Sequence, residues 1–296
     1  MDRATLVGMS AIVVWSLMTG LLRWVTEGFP SVLATALVYT LAAIILLIAR
    51  RPAPLKSYSK RYLLVSGLLF ATYETIYSVA IVISASSTQA IEVSLVNYFW
   101  PSLTVLFAAV ATKRGGNVMR VLPGVAIATI GIVVAVAGNS GIDAASMAQS
   151  AARNPLPYLL ALAGAVIWAI YSVITPKLSQ GKDATSLFFP LVAGMLWVVC
   201  LIAEHQPPAA APPAHAIAAL VGAAVVIGSG YVLWNHGLAH GNMRTMATIS
   251  FFAPILSVIS SSLMLGVQLA PIFWVGTIAV VTGSLINWKL DQSSAD

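Results

Sequence analysis

Long apolar runs alternate along this chain with short polar breaks, and the rhythm fills nearly its whole length. A helix needs about 20 mostly apolar residues to cross the hydrocarbon core of a bilayer. Runs of that kind predict ten spans, at roughly 3–24, 30–50, 61–83, 88–112, 119–138, 155–177, 184–203, 214–238, 244–265 and 270–289. The first run has a charged start like a secretory signal. It is long enough to span, carries no small-residue cleavage site and is followed by further spans, so it reads as a retained helix. Residues 139–154 and the Pro/Ala-rich stretch 205–213 read as plain linkers, the second with polyproline character, and 291–296 as a tail. The fold class that follows is an all-α integral membrane protein, with function confined to the bundle or its mouths.

Composition agrees: 59% of the 296 residues are hydrophobic and 8% charged, with a mean hydropathy of +0.92, against about 25% charged in soluble domains. Fifteen Lys and Arg against nine Asp and Glu give a net charge of +6. Ten spans sort the bases unevenly. Arg3, Arg50, Arg51, Lys56, Lys60, Arg61, Lys113, Arg114, Arg120, Lys177, Lys182, Arg244 and Lys289 fall on one side, and Arg23 and Arg153 on the other. Basic loops stay in the cytoplasm, so both termini are expected there, and topology accounts for the charge with no nucleic-acid partner. The single cysteine, Cys200, excludes an internal disulfide and an all-cysteine metal site.

The chain also repeats itself. Trp15 and Trp168, Gly28 and Gly181, and Pro101 and Pro254 are each 153 positions apart, and GVAIATIG (124–131) returns as GTIAVVTG (276–283) at an offset of 152. These matches predict two five-helix halves, 1–140 and 155–290, joined by 141–154. With an odd number of spans each, the halves enter the membrane from opposite sides. Inverted repeats of this kind are frequent in secondary transporters, with a substrate cavity near the midplane where the halves meet. Duplication also yields non-transporting scaffolds, but the polar interior argues against that reading.

Polar side chains inside spans mark inward faces. Trp15 and Thr19, followed by Arg23, stripe the first helix; Tyr73, Glu74 and Tyr77 the third; Trp168, Tyr171, Ser172 and Thr175 the sixth; Tyr231, Trp234 and Asn235 the eighth. Aromatic belts collect at helix ends, whereas Trp15, Trp100, Trp168 and Trp234 lie well inside, which favours a shared aromatic chamber over an interface belt.

In the fourth span, Glu92 sits about 140° around the helix from Asn97, with Pro101 and Thr104 close to Asn97. Pro101 offers no N–H to the Asn97 carbonyl, and its mate Pro254 none to that of Ser250. Asn97, Pro101, Ser250 and Pro254 therefore read as paired hinges, with a passive proline kink as the alternative. Glu92 and Arg23 lie at similar depth near the outer surface and are expected at the rim of the pathway. Glu74 is deeper and is the candidate for proton linkage, with a structural hydrogen-bonding role equally open to each acid. His236 and His240 have the i, i+4 spacing of a metal pair, but no third ligand is near in sequence, so no metal or cofactor is expected.

The segments AIVVWSLMTGLLRWVTEG, LLFATYETIY, TQAIEVSLVNYFWPSLTVLFA and GAVIWAIYSVITPK closely resemble the YddG-like aromatic amino acid exporters of the drug/metabolite transporter superfamily, EamA type. The resemblance implies ten helices in two inverted repeats around a central cavity, a bacterial inner-membrane location and export of aromatic amino acids and related metabolites. Carried onto this chain, it implies chamber positions at Trp15, Tyr77, Tyr98, Trp100, Trp168, Tyr171 and Trp234, and bends at Pro101 and Pro254. A monomer in the bilayer is expected. The deep spans hold no Lys or Arg cluster, which disfavours phosphorylated substrates. Two competing readings remain: a multidrug or quaternary-cation exporter, and, more remotely, an intramembrane enzyme, for which no converging nucleophile, base or metal set is visible.

Overall fold

The computed structural model describes residues 1–111, 116–203, 211–266 and 268–292. Lys113 and Arg114 of the basic tally, residues 205–210 of the Pro/Ala-rich stretch and residues 293–296 of the tail lie outside the described residues. Regular structure among them is helical throughout, with no strand. In chain order the α-helices are α1 (Arg3–Ser16), α2 (Met18–Val25), α3 (Ser31–Arg50), α4 (Gly67–Val82), α5 (Ser87–Asn97), α6 (Trp100–Ala111) and α7 (Gly116–Asn139). They continue as α8 (Ala144–Arg153), α9 (Leu156–Ser179), α10 (Thr185–Ala203), α11 (Ala214–His240), α12 (Met243–Ile249), α13 (Phe252–Leu265) and α14 (Pro271–Gln292). A π-helical turn, Tyr62–Ser66, leads into α4.

Among the described residues, eight helices or joined helix pairs are long and apolar enough to cross a membrane, or nine if α12 and α13, bent by 42°, form one span. The shorter apolar stretch Pro271–Asn287 lies within α14.

Helix starts follow short polar caps. Asp2 accepts from the Thr5 N–H at 2.7 Å, Ser86 from Gln89 at 3.1 Å and Asn242 from Thr245 at 3.0 Å. The same device overturns the plain-linker reading of 139–154. Asp143 accepts from the N–H groups of both Ala145 and Ser146 at 2.8 Å and starts α8. Its alanines favour a helix that low hydropathy alone does not reveal.

Three spans are interrupted. The fourth breaks at Tyr98–Phe99, where the Phe99 N–H turns to Val96 at 3.2 Å. The ninth breaks at Ser250–Phe251. There the Ser250 carbonyl, expected to lack its helical donor, accepts instead from the Ala253 N–H at 3.0 Å. An i+3 bond thus replaces the one Pro254 cannot make. The first span breaks at Leu17, which the sequence pattern did not suggest; its N–H bonds Val14 at 3.2 Å.

The helices pack in a reciprocal pattern: α4 on α9 and α1 on α11, α3 on α10, and α7 on α14. Glycines set the last contact. A Cβ on Gly131 would lie 2.7 Å from the Val280 nitrogen and 2.8 Å from the Gly276 carbonyl, and one on Gly124 2.8 Å from the Gly283 carbonyl. Only glycine allows the two backbones so close.

An aromatic chamber as the candidate functional site

A cavity of about 620 Å³ runs from the middle of the bundle to one face. Its mouth lies among the helix ends near Thr26 and Ser31, Val82 and Ala90, Asn139, and Leu265. Its inner end is walled by rings. Trp168 on α9 is the hub: its ring centroid lies 5.0 Å from Tyr73, 5.4 Å from Tyr231, and 6.2 Å from both Trp15 and Trp100, the last nearly perpendicular at 88°. Tyr73 and Tyr77, one helical turn apart on α4, lie parallel at 6.2 Å. Trp15 seats edge-on against Tyr231 at 4.8 Å because residue 230 is glycine: a Cβ there would meet the Trp15 Nε1 at 2.4 Å.

One acid faces this wall. Glu74 is 5% exposed, and its two carboxylate oxygens accept from the hydroxyls of Tyr39 on α3 and Tyr231 on α11. Burying a carboxylate demands such partners. Asn97, at the end of α5, also lines the chamber; its Nδ2 reaches the Tyr73 hydroxyl at 3.5 Å and its Oδ1 has no partner. The chamber thus offers flat apolar faces, one anionic group and one unpartnered amide oxygen, and among the described residues no Lys or Arg lines it.

Over 97% of its length, this chain is 37% identical to the aromatic amino acid exporter YddG of Salmonella typhimurium, with 97% of that protein covered. It is 36% identical over the same shares to the protein of that name from Escherichia coli. Residues 155–288 match the EamA-like transporter family. The chain belongs to that family. A further relative, the aromatic amino acid exporter YddG of Ancylobacter novellus, is 29% identical over 86% of each chain. A crystal structure of a protein 24% identical, covering 96% of both chains with a TM-score of 0.76, has the same fold. The family's members named here are transporters, not enzymes.

In this EamA-family bundle the expected site residues separate. Trp15, Tyr77, Tyr98, Trp100, Trp168, Asn97 and Glu74 line the chamber. Tyr171 and Trp234, expected among its rings, lie behind the wall and are fully buried. Tyr171 stacks on Trp168 at 4.9 Å and donates to Asn235 Oδ1 at 2.8 Å; Trp234 packs perpendicular to Trp100 at 5.8 Å. A stripe at i, i+3 puts two residues 60° apart, enough for one to face the cavity and the other a neighbouring helix. Pro101, Ser250 and Pro254 are buried at the helix breaks.

Glu92 and Arg23 do not meet at the rim. Glu92 is 1% exposed and accepts from the Tyr158 hydroxyl, while Arg23 is exposed; neither lines the chamber, and no ion pair joins them among the described residues. Burial left Glu92 needing a donor, and α9 supplies one. The rings of His236 and His240 lie 4.8 Å apart, tilted by 30°, and among the described residues no three His, Cys, Asp or Glu side chains gather as a metal site.

Three lining residues were missed. Tyr39 is a lone polar ring in an otherwise featureless apolar run, whereas Tyr73 and Tyr231 stood in recognised stripes and were passed over. Their shared signal is the tyrosine hydroxyl inside a span, which needs an acceptor.

Proposed function

We propose that this chain exports the aromatic amino acids phenylalanine, tyrosine and tryptophan, with related small metabolites, across a bacterial inner membrane by alternating access. The observation that carries the reading is the ring-walled chamber around one buried carboxylate. Offset and edge-on ring pairs contribute about 0.5–1.5 kcal/mol each beyond area burial, enough to select a planar side chain without trapping it. Glu74 is suited to the α-ammonium group and the Asn97 amide oxygen to its remaining protons. The relatives' names supply the substrate class independently.

Ten spans in two inverted repeats fit the same reading, with α14 as the tenth. Support comes from the reciprocal glycine contacts: residues 124 and 131 meet 283 and 276, their mates taken crosswise. Such self-matching contact is the mark of a two-fold axis. Arg3, Arg50, Lys177, Arg244 and Lys289 lie near helix ends opposite the chamber mouth, which supports cytoplasmic termini and a chamber open to the outside. The bends at Tyr98–Phe99 and Ser250–Phe251 are the proposed gates, and Glu74 the proposed proton-linked group.

A carboxylate between aromatic faces also suits an organic cation. Counterflow of labelled phenylalanine into proteoliposomes separates the two. Competition by tryptophan and tyrosine supports the amino acid reading; competition by tetraphenylphosphonium but by no amino acid overturns it.

A further inference from the structure

The half of the bundle away from the chamber mouth holds a buried column of polar side chains. Tyr171, Ser172 and Thr175 on α9, Asn235 on α11, Thr185 at the start of α10 and Ser66 just before α4 are each 0–4% exposed. They bond in series. Tyr171 donates to Asn235 Oδ1 at 2.8 Å, Asn235 Nδ2 to Thr185 Oγ1 at 2.7 Å, and the Thr185 hydroxyl to Asp183. Asp183 is half-exposed at the end of the column and pairs with Arg50 at 3.4 Å. Beside this series Thr175 donates to Ser66 at 3.0 Å, and the Ser172 Oγ has no partner among the described residues.

Polar groups at membrane depth are rare and mark pathways, and the repeat says which pathway this is. Shifted back by 153 positions, Tyr171, Ser172, Thr175 and Asn235 become Met18, Thr19, Leu22 and Val82, and all four of those line the open chamber. At one face these positions flank a cavity; at the other, Tyr171 and Asn235 touch. The chemistry differs as a closed gate requires. Met18, Leu22 and Val82 stand in an open wall and need no bonds to one another. A seam that closes and reopens is held by hydrogen bonds, which water replaces at small net cost. Ser172, its hydroxyl unpaired in the closed seam, gains a partner when water enters.

We propose that this column is the closed cytoplasmic half of the transport path, that it opens between α9 and α11, and that the Asn235 amide, bridging Tyr171 to Thr185, is the clasp that holds it shut while the chamber faces outward. The proposal rests on the inverted-repeat export reading. Opening separates Tyr171 from Asn235 and gives an aromatic zwitterion a route lined by hydroxyls and an amide.

The test reads access by thiol labelling. Ser172→Cys reports the seam and Ser94→Cys the chamber, each in a Cys200→Ala background in sealed vesicles, with a membrane-impermeant charged reagent on one face. Asn235→Leu removes both bonds of the clasp; Tyr171→Phe, the milder change, removes one and decides the matter if the leucine variant does not fold. In Tyr171→Phe, labelling of Ser172→Cys from the cytoplasmic face rises about fivefold, the worth of one hydrogen bond. In Asn235→Leu it rises further, and in both variants labelling of Ser94→Cys from the outer face falls. Opposite changes at the two faces are the sign of a population shift. A Ser172→Cys that stays unlabelled in both variants overturns the proposal. So do rises at both faces, which mean loosened packing, and labelling of Ala108→Cys near the end of α6 in place of Ser172→Cys, which puts the route elsewhere. Wild-type vesicles that move no phenylalanine reject the export reading, and the labelling, which needs no substrate, still judges the seam.

Discussion

Glu74→Gln keeps the size of the side chain and removes its charge. Both Tyr39 and Tyr231 donate to the carboxylate, and an amide offers only one oxygen, so one tyrosine hydroxyl must turn or lose its acceptor. An unsatisfied buried donor costs about 1–3 kcal/mol, which lowers the thermal midpoint in detergent. The effect on substrate is separable. A hydrogen bond between charged groups contributes about 1.5–3 kcal/mol, so losing the contact with the α-ammonium raises KM for phenylalanine by roughly 10–150-fold. The assay is phenylalanine counterflow in proteoliposomes, with 3-phenylpropionate, which has the ring and carboxylate but no ammonium, as competitor. Glu74→Gln raises the phenylalanine KM while inhibition by phenylpropionate holds. A wild-type KM for phenylalanine, or equal weakening of both compounds, refutes the ammonium contact.

Gly230→Ala places a methyl 2.4 Å from the Trp15 indole nitrogen; overpacking of this kind costs about 1–3 kcal/mol, so the melting temperature falls and phenylalanine transport weakens with it. Tyr171→Phe removes a 2.8 Å bond to Asn235 and lowers stability by about 1–3 kcal/mol, yet leaves KM unchanged, because the ring stands behind the chamber; kinetic titration beside thermal melts checks both halves. Pro254→Ala lets the ninth span straighten at its 42° bend, so turnover in counterflow slows while KM holds. If Glu74 carries protons, wild-type uptake responds to an imposed pH gradient and Glu74→Gln uptake does not.

The sequence rhythm carried the helical fold because lipid enforces one: every span must satisfy its own backbone and show apolar faces. Trp15, Trp100 and Trp168 were legible as chamber residues because indoles deep in a span are rare unless something inside needs them. Tyr171 and Trp234 were not separable from them, since periodicity gives the face of a helix but not which neighbour that face meets. Glu92 found its partner in Tyr158, 66 positions away, a contact that no local pattern encodes. α8 failed for a different reason: its alanines and the Asp143 cap carry a helix signal, but one measured by hydropathy alone reads as a break. The two proline bends were visible through the repeat, whereas the break at Leu17 has no counterpart in the continuous α9 and so left no internal echo.

The central claim is that aromatic amino acids travel through this chamber. Ser94 lines it on α5, and Cys200 is the chain's single cysteine, so Ser94→Cys in a Cys200→Ala background gives a single reactive thiol in the path. The measurement is the rate at which a charged thiol reagent modifies that cysteine, with and without phenylalanine, followed by counterflow of the modified protein. Phenylalanine, and not alanine, slows the modification, and the modified protein no longer transports. Modification at the same rate with phenylalanine present, leaving transport intact, contradicts the claim.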